Sequence, residues 1–162
     1  MNYKTSLTRF VVFCALAAIP LPACRNVRSA SASPADPWTA EQTAQPADFV
    51  KELQQEKDPF PAVIYVGVRT LYAGAHIPGA VFHGPGSTEQ GIADLKKYAQ
   101  SLPKNSNVVL YCGCCPLDRC PNLRPAFSAL RDLGFARLRV LILPTSFAAD
   151  WVEKGYPIQK GQ

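Results

Sequence analysis

Several classes of protein are excluded by what this sequence lacks. No histidine follows His83, so the cysteines further along have no downstream imidazole to serve as base, and a cysteine-protease site is excluded. The uncharged stretch from Phe10 to Ala23 is too short to span a bilayer. Charge of one sign is also scarce: 17 basic against 12 acidic residues leave a net of +5, too mild to argue for nucleic acid. No internal repeat is visible, which removes solenoid architectures. The six cysteines do not form the spread framework of a small disulfide-stapled domain.

Instead, cysteine is concentrated. Tyr111 to Asn122 reads YCGCCPLDRCPN, with Cys112, Cys114, Cys115 and Cys120 directly after the apolar run Val108 to Tyr111. A thiolate at a strand end lies where open α/β sheets keep their chemistry. Four readings are open on spacing alone. Cys112 is an isolated nucleophile whose pKa is lowered by loop amides and arginines; Cys112 and Cys115 are a C-x-x-C redox pair; the four sulfurs fill a metal site, although such tight clustering is unusual for zinc; or disulfides staple a surface loop.

The N-terminus bears on compartment. Lys4 and Arg9 precede the uncharged run, whose length suits a secretory leader, and Pro20 and Pro22 argue against a buried helix. Residues 1–24 are therefore expected to be an export signal. Leu21-Pro22-Ala23-Cys24 resembles a bacterial lipoprotein box, with proline as a departure, so Cys24 is a candidate lipid anchor; the small residues Ser29 to Ser33 offer an ordinary cleavage site instead. The expected location is periplasmic or membrane-anchored in a bacterium. Cys14 would be discarded with the leader. Loss of Lys4 and Arg9 leaves 15 basic against 12 acidic residues, a net of +3. An oxidising compartment favours disulfides and demands a reductant for thiolate chemistry.

Residues 25–36 are small and polar and read as a tether, leaving 37–162 as one domain. Helical spacing is present over Ala47 to Gln55 and Gln90 to Leu102, and again at Ala126, Phe127, Leu130 and Leu133 before a Gly134 cap. Apolar runs at Ala62 to Val68, Ala80 to His83, Val108 to Tyr111 and Leu138 to Leu143 read as strands, and Phe147 to Lys154 as a last short helix. This alternation predicts an α/β domain with a mainly parallel sheet flanked by helices. Arginines crowd near and after the cysteines, at Arg119, Arg124, Arg131, Arg137 and Arg139; most read as a solvated helix face, but Arg119 lies within the loop. His76 reads as a structural hydrogen-bonding residue, His83 as a surface histidine, and Trp151 and Tyr156 as core and cover.

Several blocks in order resemble a rhodanese domain: Val66-Gly67-Val68-Arg69, Tyr72, His76-Ile77-Pro78-Gly79-Ala80, VVLYC ending at Cys112, the helix end LRDLGF, the strand LRVLIL, and Trp151 with Lys154-Gly155-Tyr156-Pro157. The resemblance runs from Ala47 to Ile158. It implies a single doubly wound domain and a sulfurtransferase that moves sulfane sulfur from a donor such as thiosulfate to cyanide or a thiol, with Cys112 as the persulfide-forming nucleophile. It implies no cofactor. Amides of Gly113, Cys114, Cys115, Leu117 and Asp118 would cradle the charge, and Arg119 would bind the anionic donor.

The departures centre on the same loop. Gly67 stands where the family usually carries aspartate, and Leu71 where it favours glutamate. Cys112 to Arg119 is C-x6-R, whereas the family commonly has C-x4-R; counting from Cys114 restores that spacing and makes Cys114 the rival nucleophile. Pro116 and Pro121 remove two amide donors. Cys114, Cys115 or Cys120 would resolve a persulfide, with a thiol acceptor or reductant protein as partner. The alternative is a thiol-disulfide or soft-metal-binding module; no metal is favoured, but Cys112, Cys114, Cys115 and Cys120 are its ligand set.

Overall fold

The computed structural model describes residues 35–55 and 59–161. The expectations for the leader, Cys14, Cys24 and nearly all of the tether fall outside them. Among the described residues no helix is long and apolar enough to cross a membrane.

Five strands form one sheet: β1 (Thr43–Ala44), β2 (Ala62–Tyr65), β3 (Val81–Phe82), β4 (Asn107–Tyr111) and β5 (Arg137–Leu141), in the order β1-β5-β4-β2-β3. Every pairing is parallel. Helices cover both faces: α1 (Pro46–Gln54), α2 (Arg69–Gly74), α3 (Glu89–Ala99) and α4 (Leu123–Asp132). Alternate strand residues divide between two cores, because successive side chains of a strand point to opposite faces. Ile64, Val108, Leu110 and Val140 join Leu95 of α3 and Phe127 and Leu130 of α4. Val63, Tyr65, Val109, Tyr111 and Leu141 join Phe49 of α1, Tyr72 of α2 and Trp151. A sheet buried on both faces explains why these strands read as continuous apolar runs.

Local chemistry sets the helix ends. Pro46 opens α1 at a position where its missing amide costs nothing. The Thr88 hydroxyl accepts from the Gly91 amide at 3.0 Å and caps α3. Gly134, at φ +85°, closes α4: its amide donates to Arg131 O at 2.8 Å and the Phe135 amide to Leu130 O at 3.3 Å, the double bond of a Schellman cap.

Boundaries depart from the sequence reading in instructive places. The expected strand from Ala62 to Val68 stops at Tyr65, and α2 follows within a few residues; it is too short to print a helical period. β1 is shorter still. The expected helix over Phe147 to Lys154 is a π-helical turn, Ala148–Val152, whose entrance is held by Asp150 Oδ2 accepting from the Thr145 and Ser146 amides. Ordered packing also begins inside the expected tether, where Asp36 pairs with Arg124 at 2.7 Å. Trp38 then stacks edge-on against Phe127.

Beside the amino end of β4, Arg139 from the middle of β5 clamps Glu52 of α1 through two bonds of 2.9 and 2.6 Å, and Asn107 donates to the same carboxylate at 3.0 Å. Partial burial pushes the Glu52 pKa up, but these donors outweigh it and hold the carboxyl below its ordinary value. A depressed folded pKa gives stability that is present above the unfolded value and lost as pH falls through the folded one. Urea midpoints measured from pH 7 down to pH 3 should therefore fall more steeply for the wild type than for Glu52→Gln, with the difference closing in acid. Parallel curves would refute the assignment.

Candidate functional site

The strand order reverses between β2 and β4, since the chain runs from β2 outward to β3 and from β4 the other way to β5. Open α/β sheets hold their sites beyond the carboxyl ends of such strands. Here those ends deliver Gly67 and Cys112. A Cβ on Gly67 would lie 2.5 Å from Tyr65 Oη and 2.9 Å from Cys112 Sγ. An aspartate at this position has no room, which accounts for the glycine.

Cys112 continues the parity of Val108 and Leu110, so it points into the α3 and α4 core and is fully buried. Gly113, at φ +70°, then turns the chain into a conformation that side chains rarely adopt. The turn reverses the direction of the next side chain. Cys114 comes back alongside Cys112 with the two Sγ atoms 3.0 Å apart, and Cys115 Sγ lies 3.5 Å from Cys114 Sγ. Cys120, also buried, completes a cluster in which the Sγ atoms of Cys112, Cys114 and Cys120 all lie within 4.8 Å of one another. All four cysteines are free thiols.

The loop is held from three sides. The Leu117 amide donates to Pro144 O at 3.2 Å and the Phe147 amide to Gly113 O at 2.9 Å, tying both ends of the loop to the segment after β5. Arg124, 14 % exposed, sends Nη1 to the carbonyls of Leu117 and Cys120 at 3.2 Å each. Asn122 is buried between α4 and the loop; its Oδ1 accepts from the Ser87 amide at 3.0 Å, which turns Nδ2 toward Cys112 and Cys114 at 3.5 Å.

These contacts set the ionisation of the sulfurs. Cys120 is lowered to about 6, first by the Cys112 thiol and then by the Asn122 and Leu123 amides at the start of α4. The same contact with Cys120, followed by burial, pushes Cys112 strongly up. Burial pushes Cys115 up to about 12. The contact between the two sulfurs thus favours the anion on Cys120 over Cys112.

A cavity of about 360 Å³ opens beside the cluster. Its walls include Leu71, Ala75, Phe147 and Val152, with Cys114 and Gly113 on one side. Cys114 lines it; Cys112 does not. Tyr65 also lines it, with its hydroxyl buried. Burial, and then the charges of Cys112 and Cys114, push that phenol upward.

Cys112, Cys114, Cys115 and Cys120 are therefore brought together, while Arg119 is not. Its side chain is 77 % exposed on the turn Leu117–Arg119, 4.0 Å from Asp118, and among the described residues no arginine or lysine lines the cavity. Of the amides expected to cradle an anion, that of Cys114 faces Cys112 Sγ, whereas that of Leu117 is spent on Pro144 because the loop is pinned to the segment after β5. Asn122, Arg124 and Tyr65 carry roles that the sequence reading missed. Arg124 stood out only as one of several arginines near the cysteines, and Asn122 and Tyr65 were not singled out.

The outlying aromatic residues are structural. His76 is buried, with Nδ1 2.8 Å from Tyr72 O and its ring stacked on Tyr72. His83 pairs with Asp94 at 2.8 Å and stacks on Tyr98. Trp151 is buried with Nε1 donating to Pro157 O, and Tyr156 packs edge-on against it.

No protein-family model matches the chain, and no curated protein matches it in sequence. Solved structures do match. The rhodanese-like domain of the Alr3790 protein from Anabaena, in solution, gives a TM-score of 0.54 at 23% identity, covering 74% of this chain and 79% of that one. The BH2092 protein from Bacillus halodurans gives 0.57 at 20% identity, covering 73% and 76%. Thiosulfate sulfurtransferase from Pseudomonas aeruginosa gives 0.54 at 23% identity, covering 74% of this chain but 19% of that one.

Proposed function

We propose, from the premise that this chain has the rhodanese-like fold, that it is a sulfurtransferase whose Cys112 and Cys114 carry sulfane sulfur. The observation that carries the reading is the pair itself: two free thiols 3.0 Å apart at the end of β4, one facing the cavity and the other sealed behind it. The Cys114 thiolate attacks the outer sulfur of a donor R–S–S⁻. The donor's S–S bond breaks, R–S⁻ leaves with the electron pair, and a Cys114 persulfide forms. Cys112 takes the outer sulfur as its proton passes to the departing Cys114 sulfur, so the Cys114 thiol is regenerated and the sulfur is stored away from water. An acceptor thiol collects it by the reverse route. Asn122 Nδ2, within reach of both sulfurs, stabilises negative charge on either.

The test is intact-mass analysis after incubation with a sulfane-sulfur donor. One sulfur atom added per chain supports the reading, and no adduct with any donor refutes it.

The cavity lining narrows the donor. With largely apolar walls and no cation among the described residues that line it, it suits an uncharged organic substituent better than the doubly charged thiosulfate. An alkyl or aryl persulfide should load the protein faster than thiosulfate by about tenfold or more, an increment that burial of two methylene groups supplies. Equal rates, or a preference for thiosulfate, would contradict this assignment.

A further inference from the structure

We propose that Cys112, Cys114 and Cys120 form a three-sulfur site for a soft monovalent cation, copper(I), which shares Cys112 and Cys114 with the sulfur-transfer reading but needs no donor sulfur. The three Sγ atoms converge within 4.8 Å of one another. A metal–thiolate bond of about 2.3 Å places the sulfurs of a trigonal site about 4 Å apart. The cluster is thus near the required size, and the 3.0 Å pair has to open by about 1 Å, through rotation of the Cys114 side chain at the cavity wall.

The surroundings favour thiolates bound to a cation. Asn122 Nδ2 faces Cys112 and Cys114, the Asn122 and Leu123 amides face Cys120, and the Cys114 amide faces Cys112. Each of the three sulfurs therefore has an N–H donor behind it, the outer-shell pattern that orients metal ligands. Three adjacent thiolates would repel one another, and a cation at their centre removes that repulsion as the thiols release their protons.

The donor set selects the metal. It is all sulfur: no carboxylate or imidazole belongs to the group, and the rings of His76 and His83 are engaged elsewhere. Hard cations are excluded by that chemistry. Zinc prefers a closed set of four, whereas Cys115, though 3.5 Å from Cys114, lies outside the group whose sulfurs all come within 4.8 Å of one another. Three sulfurs suffice for copper(I).

The full chain, reduced and anaerobic, would be titrated with copper(I) held by a chromophoric chelator. One copper(I) per chain is expected, with only sulfur neighbours in X-ray absorption. Cys112→Ser, Cys114→Ser and Cys120→Ser should each weaken binding by more than about a hundredfold and Asn122→Ala by about tenfold, the outer-shell effect. Cys115→Ser should bind as the wild type does, and circular dichroism checks the fold of each variant. Failure to take copper from the chelator, dependence on Cys115 equal to that on Cys120, or preferential zinc binding through four sulfurs would each overturn the proposal. Copper uptake needs no donor sulfur, so this result and the persulfide result fail separately.

Discussion

Replacing Cys114 by serine is expected to abolish sulfur uptake although Cys112 remains intact. Cys112 is fully buried, behind Cys114 and the Gly113 turn, so a donor in the cavity meets Cys114 first. A serine hydroxyl is not ionised near neutral pH and cannot replace the thiolate, so the loading rate should fall on the order of a thousandfold or more. Cys112→Ser should behave differently. The adduct then stays on Cys114, where it is exposed to alkylating reagents and reductants, and delivery to an acceptor thiol slows while loading persists. Peptide mass mapping of the two variants separates these outcomes. Stoichiometric loading of Cys112 in the Cys114→Ser protein would show that Cys112 is reached directly, and the route through Cys114 would fall.

Gly113→Ala is expected to carry the largest stability cost of any single added methyl in the loop. A non-glycine residue at φ +70° costs about 1–2 kcal/mol from contact of Cβ with the following carbonyl. The new Cβ would also lie 2.6 Å from both the backbone nitrogen and the Cβ of Phe147, atoms that rotation of a side chain cannot withdraw. Overpacking of this kind adds about 1–3 kcal/mol. Gly134→Ala is the control: it has φ +85° but nothing within 4 Å of the added atom, so only the conformational cost applies. Urea unfolding should therefore give a midpoint shift for Gly113→Ala at least about twice that for Gly134→Ala, taking the two costs together. Equal shifts would mean that Phe147 yields. The variant should also lose sulfur loading, because this turn brings Cys114 back to Cys112.

The legible parts of the site were those written in adjacent residues. Val108 to Tyr111 is a strand because its run is apolar and β-branched, and its end locates Cys112 without further information. Gly134 marks the end of α4 for an equally local reason. Asn122, Arg124 and Tyr65 were not legible, since each acts on atoms supplied by distant residues: Ser87 orients Asn122, Asp36 holds Arg124, and Gly67 makes room for the Tyr65 hydroxyl. The reading of Arg119 as an anion ligand came from the resemblance and from its place inside the loop. Neither records that the side chain at the end of the turn Leu117–Arg119 is exposed.

By itself, the sequence determined the alternation of strand and helix, the parallel sheet that alternation requires, and a thiol-rich loop at a strand's carboxyl end. These follow from periodicity and capping, which are properties of neighbouring residues. The tertiary structure alone decided which sulfur faces the cavity, which one is sealed, and that Cys120 returns to within reach of both. Those outcomes depend on the positive-φ turn at Gly113, on Phe147 and Pro144 gripping the loop from beyond β5, and on Asn122 reaching in from α4. Such contacts join segments that are separate in the chain, and no local pattern encodes their distances.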